Sequence, residues 1–323
     1  MKRREFMALV GGVAAMPLAA RAQQASKVHR LGVLSPSNAS VVSIRAVTLP
    51  ELAKAGFVEG QNLFVDVRVG TAAQISELAR ALVASKPDAI IAVSDIAIAA
   101  LKAASSSVPI VMSFGTGDPV AAGFATSITQ PGGNITGVTM SAPETNAKRL
   151  TLLHEAVPKA RRIAALTVEA RRYEAILTEM RATAASAGID LLTFFAETAG
   201  AYPAAFTAMK SAGAEALVIV SAPEFNRDAE ILAALAVEAK LPAVCEWSHM
   251  AAQGCLFGYG PNQVELRRRT ADYVVRIFRG IPPAEIPIEG PTRFAFTINL
   301  KTAERIGVEL PTGLLLRADE VIE

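Results

Sequence analysis

Residues 108–138 read VPIVMSFGTGDPVAAGFATSITQPGGNITGV. The apolar run from Val108 to Met112 has the length and composition of a buried strand. It runs into a glycine-rich turn, Phe114-Gly115-Thr116-Gly117-Asp118-Pro119, and the small apolar residues 120–125 then read as a short helix. A strand that ends in glycine and opens onto a helix is where open parallel sheets place their ligand sites. The helix start offers unpaired N–H groups and a positive dipole end, and Asp118 offers a negative charge. Such a turn suits a small polar ligand.

Outward from this stretch the same unit repeats on both sides. Towards the N-terminus, strands are expected at 29–34, 63–68 and 89–93, with helices at about 40–54, 71–85 and 96–105. The helix at 71–85 is marked by Ala72, Ile75, Leu78, Ala79 and Leu82 on one face. Towards the C-terminus, strands are expected at 162–167, 191–195, 216–220, 243–245 and 255–257. Helices are expected between them, at 146–157, 173–187, 202–211 and 227–239. A helix at 264–280, the rigid break Ile281-Pro282-Pro283, a strand at 294–300 and a helix at 301–306 complete the chain. Repeated βα units imply parallel sheets covered on both faces. The fold class is therefore α/β, with two Rossmann-like lobes of parallel sheet and a cleft between them. The expected division is residues 28–141 plus about 262–282 for lobe 1, and 142–261 plus about 288–323 for lobe 2, with 131–143 as the crossing.

Composition supports this reading. The chain has 323 residues, 51% hydrophobic and 19% charged, enough for a large core and two domains. The formal net charge of +2 is concentrated at the start, where Lys2, Arg3, Arg4 and Arg21 face only Glu5. Without residues 1–22 the chain is close to neutral and carries no basic stripe, which argues against nucleic acid as a partner. Residues 1–22 combine a basic start, an apolar stretch and the A-x-A sequence Ala20-Arg21-Ala22. They are expected to be a cleaved signal peptide rather than a membrane anchor. Arg3-Arg4-Glu5-Phe6-Met7 resembles a twin-arginine motif, with Sec export as the alternative. Cys245 and Cys255 are the only cysteines. An oxidising compartment permits a bridge, whereas cysteines beside apolar runs are ordinarily small core residues; spacing leaves both open.

A cleft between two α/β lobes is lined by polar residues just after strands. In lobe 1 these are Ser35, Ser37, Asn38, Ser94, Asp95, Thr116, Gly117 and Asp118. In lobe 2 they are Thr167, Ser221, Glu246 and Tyr259. Ser35, Ser94 and nearby N–H groups suit a ligand carboxylate, Asp118 and Glu246 suit an ammonium, and Tyr259 and Trp247 suit an apolar or aromatic part. Each has a plainer reading: Ser94 as a helix cap, Asp118 as a turn residue before Pro119, Glu246 as a solvated acid, Trp247 as a core edge. His29, His154 and His249 form no motif with a nucleophile or metal ligand, and no Walker loop, G-x-S-x-G, H-E-x-x-H or G-x-G-x-x-G after the first strand is present. No enzyme, cofactor or metal is expected.

Several long motifs stand in one order: Gly56-Phe57-Val58-Glu59-Gly60-Gln61-Asn62, Gly117-Asp118-Pro119-Val120-Ala121-Ala122-Gly123, residues 131–138, Tyr259-Gly260-Pro261-Asn262, and the tails 291–303 and 317–323. By these the mature chain resembles the ABC transporter substrate-binding proteins of the tryptophan-binding type, a periplasmic family with the type I fold. The resemblance implies two lobes joined by three crossings, ligand capture by hinge closure, and delivery to an ATP-driven ABC permease by a monomeric binding protein. Two turns depart from the family pattern, Ser94-Asp95-Ile96 and residues 167–172, and their charges Asp95, Glu169 and Arg171 point to a polar or charged ligand. An amino acid or related carboxylate is the expected ligand. A periplasmic sensing module for a signalling receptor is the alternative use of the same cleft.

Overall fold

Strand–helix repeats build two sheets rather than one. The computed structural model describes residues 27–115, 117–171 and 173–323, so the expected signal peptide and Thr116 lie outside the described residues. The first sheet contains β1 (His29–Ser35), β2 (Leu63–Val69), β3 (Ala89–Val93), β4 (Ile110–Gly115) and β5 (Ile135–Thr139), in the order β2-β1-β3-β4-β5. Every pairing in it is parallel. β3 reads AIIAV and is buried throughout, as a central parallel strand with helices on both faces must be. β2, at the edge, alternates charged and apolar residues and is only partly buried.

The second sheet contains β6 (Arg162–Thr167), β7 (Asp190–Phe195), β8 (Ala216–Ile219), β9 (Ala243–Cys245), β10 (Phe257–Pro261), β11 (Phe294–Asn299) and β12 (Glu320–Ile322). Their order is β12-β11-β10-β9-β8-β6-β7, and the β10–β11 pairing is antiparallel. The chain passes between the sheets three times. After β5 it enters the helix Ala142–Ala156, which packs on β8, β9 and β10. After β10 it enters the helix Gln263–Phe278, which packs back on β3, β4 and β5. Residues 286–289 then run along β5, where Thr136 Oγ1 donates to the Ile286 carbonyl at 2.6 Å and Thr139 N donates to the Glu289 carbonyl at 2.9 Å. From there β11 returns to the second sheet.

Four local expectations are corrected. Residues 120–125 form turns, not a helix. The expected crossing 131–143 contains a full strand, β5, whose Gly137 has φ +132° and lies so close to β4 that a Cβ would sit 2.3 Å from the Met112 carbonyl. The expected helix 227–239 is two helices, Pro223–Arg227 and Ala229–Glu238, and between them Asp228 accepts from the Tyr202 hydroxyl and Arg227. The strand expected at 255–257 lies instead at Phe257–Pro261, and the helix Ser248–Ala252 precedes it. The glycines of Gly258-Tyr259-Gly260 signal close packing here, not a turn. A Cβ on Gly258 would meet the Trp247 carbonyl at 2.3 Å, and one on Gly260 the Glu246 carbonyl at 2.1 Å. Cys245 and Cys255 are joined in a disulfide, with Cα atoms 6.3 Å apart. Among the described residues, no helix is long and apolar enough to cross a membrane.

Candidate functional site

The carboxyl ends of both sheets face one cleft, with a cavity volume of about 170 Å³, room for a small organic molecule. Pro36, Ser37, Ala39, Ser40, Ser43, Val93, Ser94 and Phe114 line it from the first sheet. Ser221, Ala222, Pro223, Asn226, Glu246, Trp247 and His249 line it from the second. Gln263 and Arg267, on the helix that crosses back, complete the wall. Of the sequence candidates, Ser94, Ser221, Glu246, Ser37 and Trp247 line this cavity.

The backbone is bent to present two of these side chains. Ser94 has φ +74° and Phe114 has φ +63°, the left-handed region that non-glycine residues seldom occupy. Phe114 takes this conformation where the β4–β5 register shifts between Met112 and Gly115. Ser94 takes it where β3 turns directly into the helix Ser94–Ala104. That helix has no side-chain cap, so its first N–H groups remain for solvent or a ligand. Ser94 is 7% exposed, and its Oγ has no hydrogen-bond partner. Strain held at a cleft wall, beside an unsatisfied hydroxyl, is the pattern expected of a recognition residue.

Two buried arginines dominate the electrostatics. Arg149, 0% exposed, lies behind the second-sheet wall. Its Nε donates to the Tyr259 carbonyl at 2.5 Å, and its Nη1 donates to Asn146 Oδ1 at 2.8 Å and Ser221 Oγ at 2.7 Å. Burial lowers its pKa to about 10, against the attraction of Glu246. Burial likewise raises Glu246, opposed by Arg149 and by hydrogen bonds with Ser221 and Trp247. Arg267, 3% exposed, lines the cavity itself. Its Nη1 donates to Ser113 Oγ at 2.9 Å and its Nε to Ser43 Oγ at 3.3 Å. Its guanidinium carbon lies 4.2 Å from the Phe114 ring centroid, a cation–π contact. Burial alone lowers its pKa, to about 9, so it remains charged at neutral pH. The acceptors of these two hydrogen bonds, Ser113 and Ser43, are uncharged hydroxyls. Trp247 packs edge-on against Phe114 at 6.0 Å, and Met140 and Val93 add apolar wall.

The remaining candidates lie outside the cavity lining. Ser35 closes its own turn, with Oγ donating to the Ser37 carbonyl and accepting from Ser37 N. Asn38 is exposed at the start of a helix, and Asp95 is partly buried in the first turn after Ser94. Gly117 flanks Asp118, whose Oδ1 accepts from Val120 N at 2.8 Å and Ala121 N at 3.4 Å, the ordinary work of a turn aspartate. Thr167 is buried at the end of β6 with its Oγ1 unpartnered. Tyr259 sits within β10, its ring stacked on Phe294 at 5.5 Å.

Arg267 and Phe114 line the cavity without being among the sequence candidates. Arg267 belongs to the run Arg267-Arg268-Arg269, which reads as a solvated face, yet helical spacing puts it in register with Thr270, Ala271 and Val274, all buried. That periodicity was the available signal. Phe114 carries no comparable signal, because its aim depends on a register shift between strands.

The model of the family described as "ABC transporter substrate binding protein" matches residues 37–322. No curated protein matches the sequence significantly. Among solved structures, a conserved domain protein from Vibrio cholerae is 25% identical over 91% of this chain and 100% of its own, with a TM-score of 0.84. The ABC domain in complex with L-Trp from Streptococcus pneumoniae is 24% identical over 91% of this chain and 99% of its own, with a TM-score of 0.83. A ligand-free, open substrate-binding protein from Clostridium difficile is 21% identical over 92% and 99%, with a TM-score of 0.69. The fold they share with this chain is the type I periplasmic binding fold, as expected from the resemblance.

Proposed function

The chain belongs to the ABC transporter substrate-binding protein family, and on that premise we propose that it is an exported binding protein that captures a small carboxylate, an amino acid or a relative, and delivers it to an ABC permease. The observation that carries this reading is Arg267. A buried guanidinium in the cavity wall, held by hydroxyls and an aromatic face, is a preorganised partner for an anion. The unpartnered Ser94 Oγ and the uncapped helix behind it add donors of the same polarity. Phe114, Trp247 and Met140 suit an apolar ligand body. L-Trp, in the Streptococcus pneumoniae structure, is a ligand of this general kind on the same fold.

On this reading lobe 1, residues 28–141 with about 262–282, and lobe 2, residues 142–261 with about 288–323, close on the ligand about the crossings. The Cys245–Cys255 bridge supports an oxidising destination outside the cytoplasm, in keeping with the signal-like residues 1–22. Thermal-shift screening against amino acids, aromatic acids, short carboxylates and sugars tests the reading. A ligand at about 100 times its Kd stabilises by about 2.7 kcal/mol. Stabilisation by a neutral sugar and by no carboxylate would sink it.

A further inference from the structure

Resting on the proposed function's cleft as the ligand site, we infer that Cys245 and Cys255 are positioning residues for recognition: their bridge fixes the backbone that presents Glu246 and Trp247 to the cavity. The bridge joins the last residue of β9 to the approach to β10, across a sequence separation of 10. Residues 246–254 lie inside the loop it closes. From that loop Glu246, Trp247 and His249 line the cavity, and the rest of the second-sheet lining comes from residues 221–226. Both cysteines are fully buried, so the loop is tied to a fixed point in the core.

The wall needs such a tie. Glu246 is buried, and Arg149 attracts its carboxylate while Ser221 and Trp247 hydrogen-bond to it, yet its Oε1 has no hydrogen-bond partner. A carboxylate oxygen in that state costs free energy that contact with water would recover, so displacement of the segment towards the open cleft is the direction of relief. The other contacts resist that displacement poorly. The Glu246 and Trp247 carbonyls lie against Gly260 and Gly258, and this packing blocks inward movement only. The Trp247 carbonyl accepts from Met250 N at 3.0 Å and Ala251 N at 3.3 Å, bonds inside the loop that travel with it. Hydrogen bonds from the rest of the lobe act further along. Asn299 Nδ2 donates to the Ala251 carbonyl at 2.8 Å, Thr302 Oγ1 donates to the Gly254 carbonyl at 3.1 Å, and His249 Nε2 pairs with Asn226 Oδ1 at 2.7 Å. They hold the helix Ser248–Ala252 and the turn after it. Glu246 and Trp247 come before that helix, next to Cys245, where the bridge acts.

The test compares the mature protein with its Cys245→Ala/Cys255→Ala variant. It needs no ligand, so its failure leaves the carboxylate-binding reading standing. Trp247 is the only tryptophan in the chain, and its quenching by acrylamide reports directly on the wall. Hydrogen exchange read by mass spectrometry reports on residues 246–254, with β6 and β8 as internal controls. In the variant the quenching constant should rise at least about threefold, and the 246–254 amides should exchange at least about tenfold faster, because a bridge across a loop of this length restrains the opened chain by about a hundredfold. The amides of β6 and β8 should keep their protection. Quenching or exchange of the segment that stays as in the wild type overturns the inference, since the remaining contacts then hold the wall unaided. An equal gain in exchange along β6 and β8 also overturns it, because the bridge then supports the lobe as a whole. If the alanine pair does not fold, Cys245→Ala/Cys255→Val, which fills more of the vacated space, takes its place, and failure of both to fold overturns the inference in the same way.

Discussion

Arg149 and Arg267 are both buried arginines on long helices at the same cleft, yet they stand in opposite settings. Arg149 belongs to the second-sheet side, where Tyr259, Asn146 and Ser221 accept its hydrogen bonds and Glu246 balances its charge. The segment carrying Glu246 is pressed onto the glycines of β10 and stapled by the Cys245–Cys255 bridge. Arg267, on the first-sheet side, has hydroxyls and a ring face but no carboxylate. A buried charge with its own counterion is part of the scaffold, whereas one without is waiting for a counterion from outside. Under the proposed function, Arg149 is a structural arginine and Arg267 a recognition one.

The sharpest way to break that contrast is to remove each arginine and measure unfolding in urea. Arg149→Met leaves Glu246 buried without its counterion and takes a donor from the Tyr259 carbonyl, while Asn146 Oδ1 keeps Ser221 N and Ser221 Oγ keeps Asn146 Nδ2, and it should cost about 3–5 kcal/mol of stability. Adding Glu246→Gln should recover a large part of the loss, since no buried carboxylate then remains unpaired. A loss below about 1 kcal/mol for the single variant would remove the distinction, because it would mean that Arg149 holds nothing together. Arg267→Met should behave in the opposite way. It takes out a desolvated cation that has no ionic partner and leaves an apolar side chain against Phe114, so stability should change by no more than about 1 kcal/mol in either direction. Carboxylate affinity should fall by about 1.5–3 kcal/mol, the usual worth of a hydrogen bond to a charged group. Severe destabilisation with affinity intact would reverse the assignment.

The α/β class and the sequence of strands were legible because parallel strands buried on both faces must be apolar runs, and 89–93, 110–112 and 163–166 are such runs. What misled lay in glycines and in charge. Gly258 and Gly260 fall just beyond the strand expected at 255–257, yet they serve close backbone approach within a strand, a demand set by the Glu246–Trp247 segment lying across them. Asp118 looked like a ligand contact because a turn after a strand is where ligands sit, but the pocket formed around the neighbouring strand ends instead. Ser94 and Glu246 were readable from their positions after β3 and β9. Their partners were not, since Arg149 and Arg267 come from helices distant in sequence and only the folded chain brings them to those strand ends.

Ser94 gives the smallest effect and the finest probe of the recognition side. Its φ of +74° costs a serine about 1 kcal/mol relative to glycine, and its Oγ is buried without a partner. Neither feature helps the protein fold, so Ser94→Gly should raise stability by up to about 1 kcal/mol. If the hydroxyl is held in that strained position to meet a ligand, the same substitution should weaken carboxylate binding by about 0.5–1.5 kcal/mol, one neutral hydrogen bond. Ser94→Ala separates the two effects: it keeps the backbone strain and loses the hydroxyl, so affinity should drop without any gain in stability. Melting curves with and without ligand read both quantities in one experiment. Should Ser94→Gly gain stability and keep full affinity, the strain at β3 belongs to the turn alone, and recognition on this side of the cleft rests on Arg267.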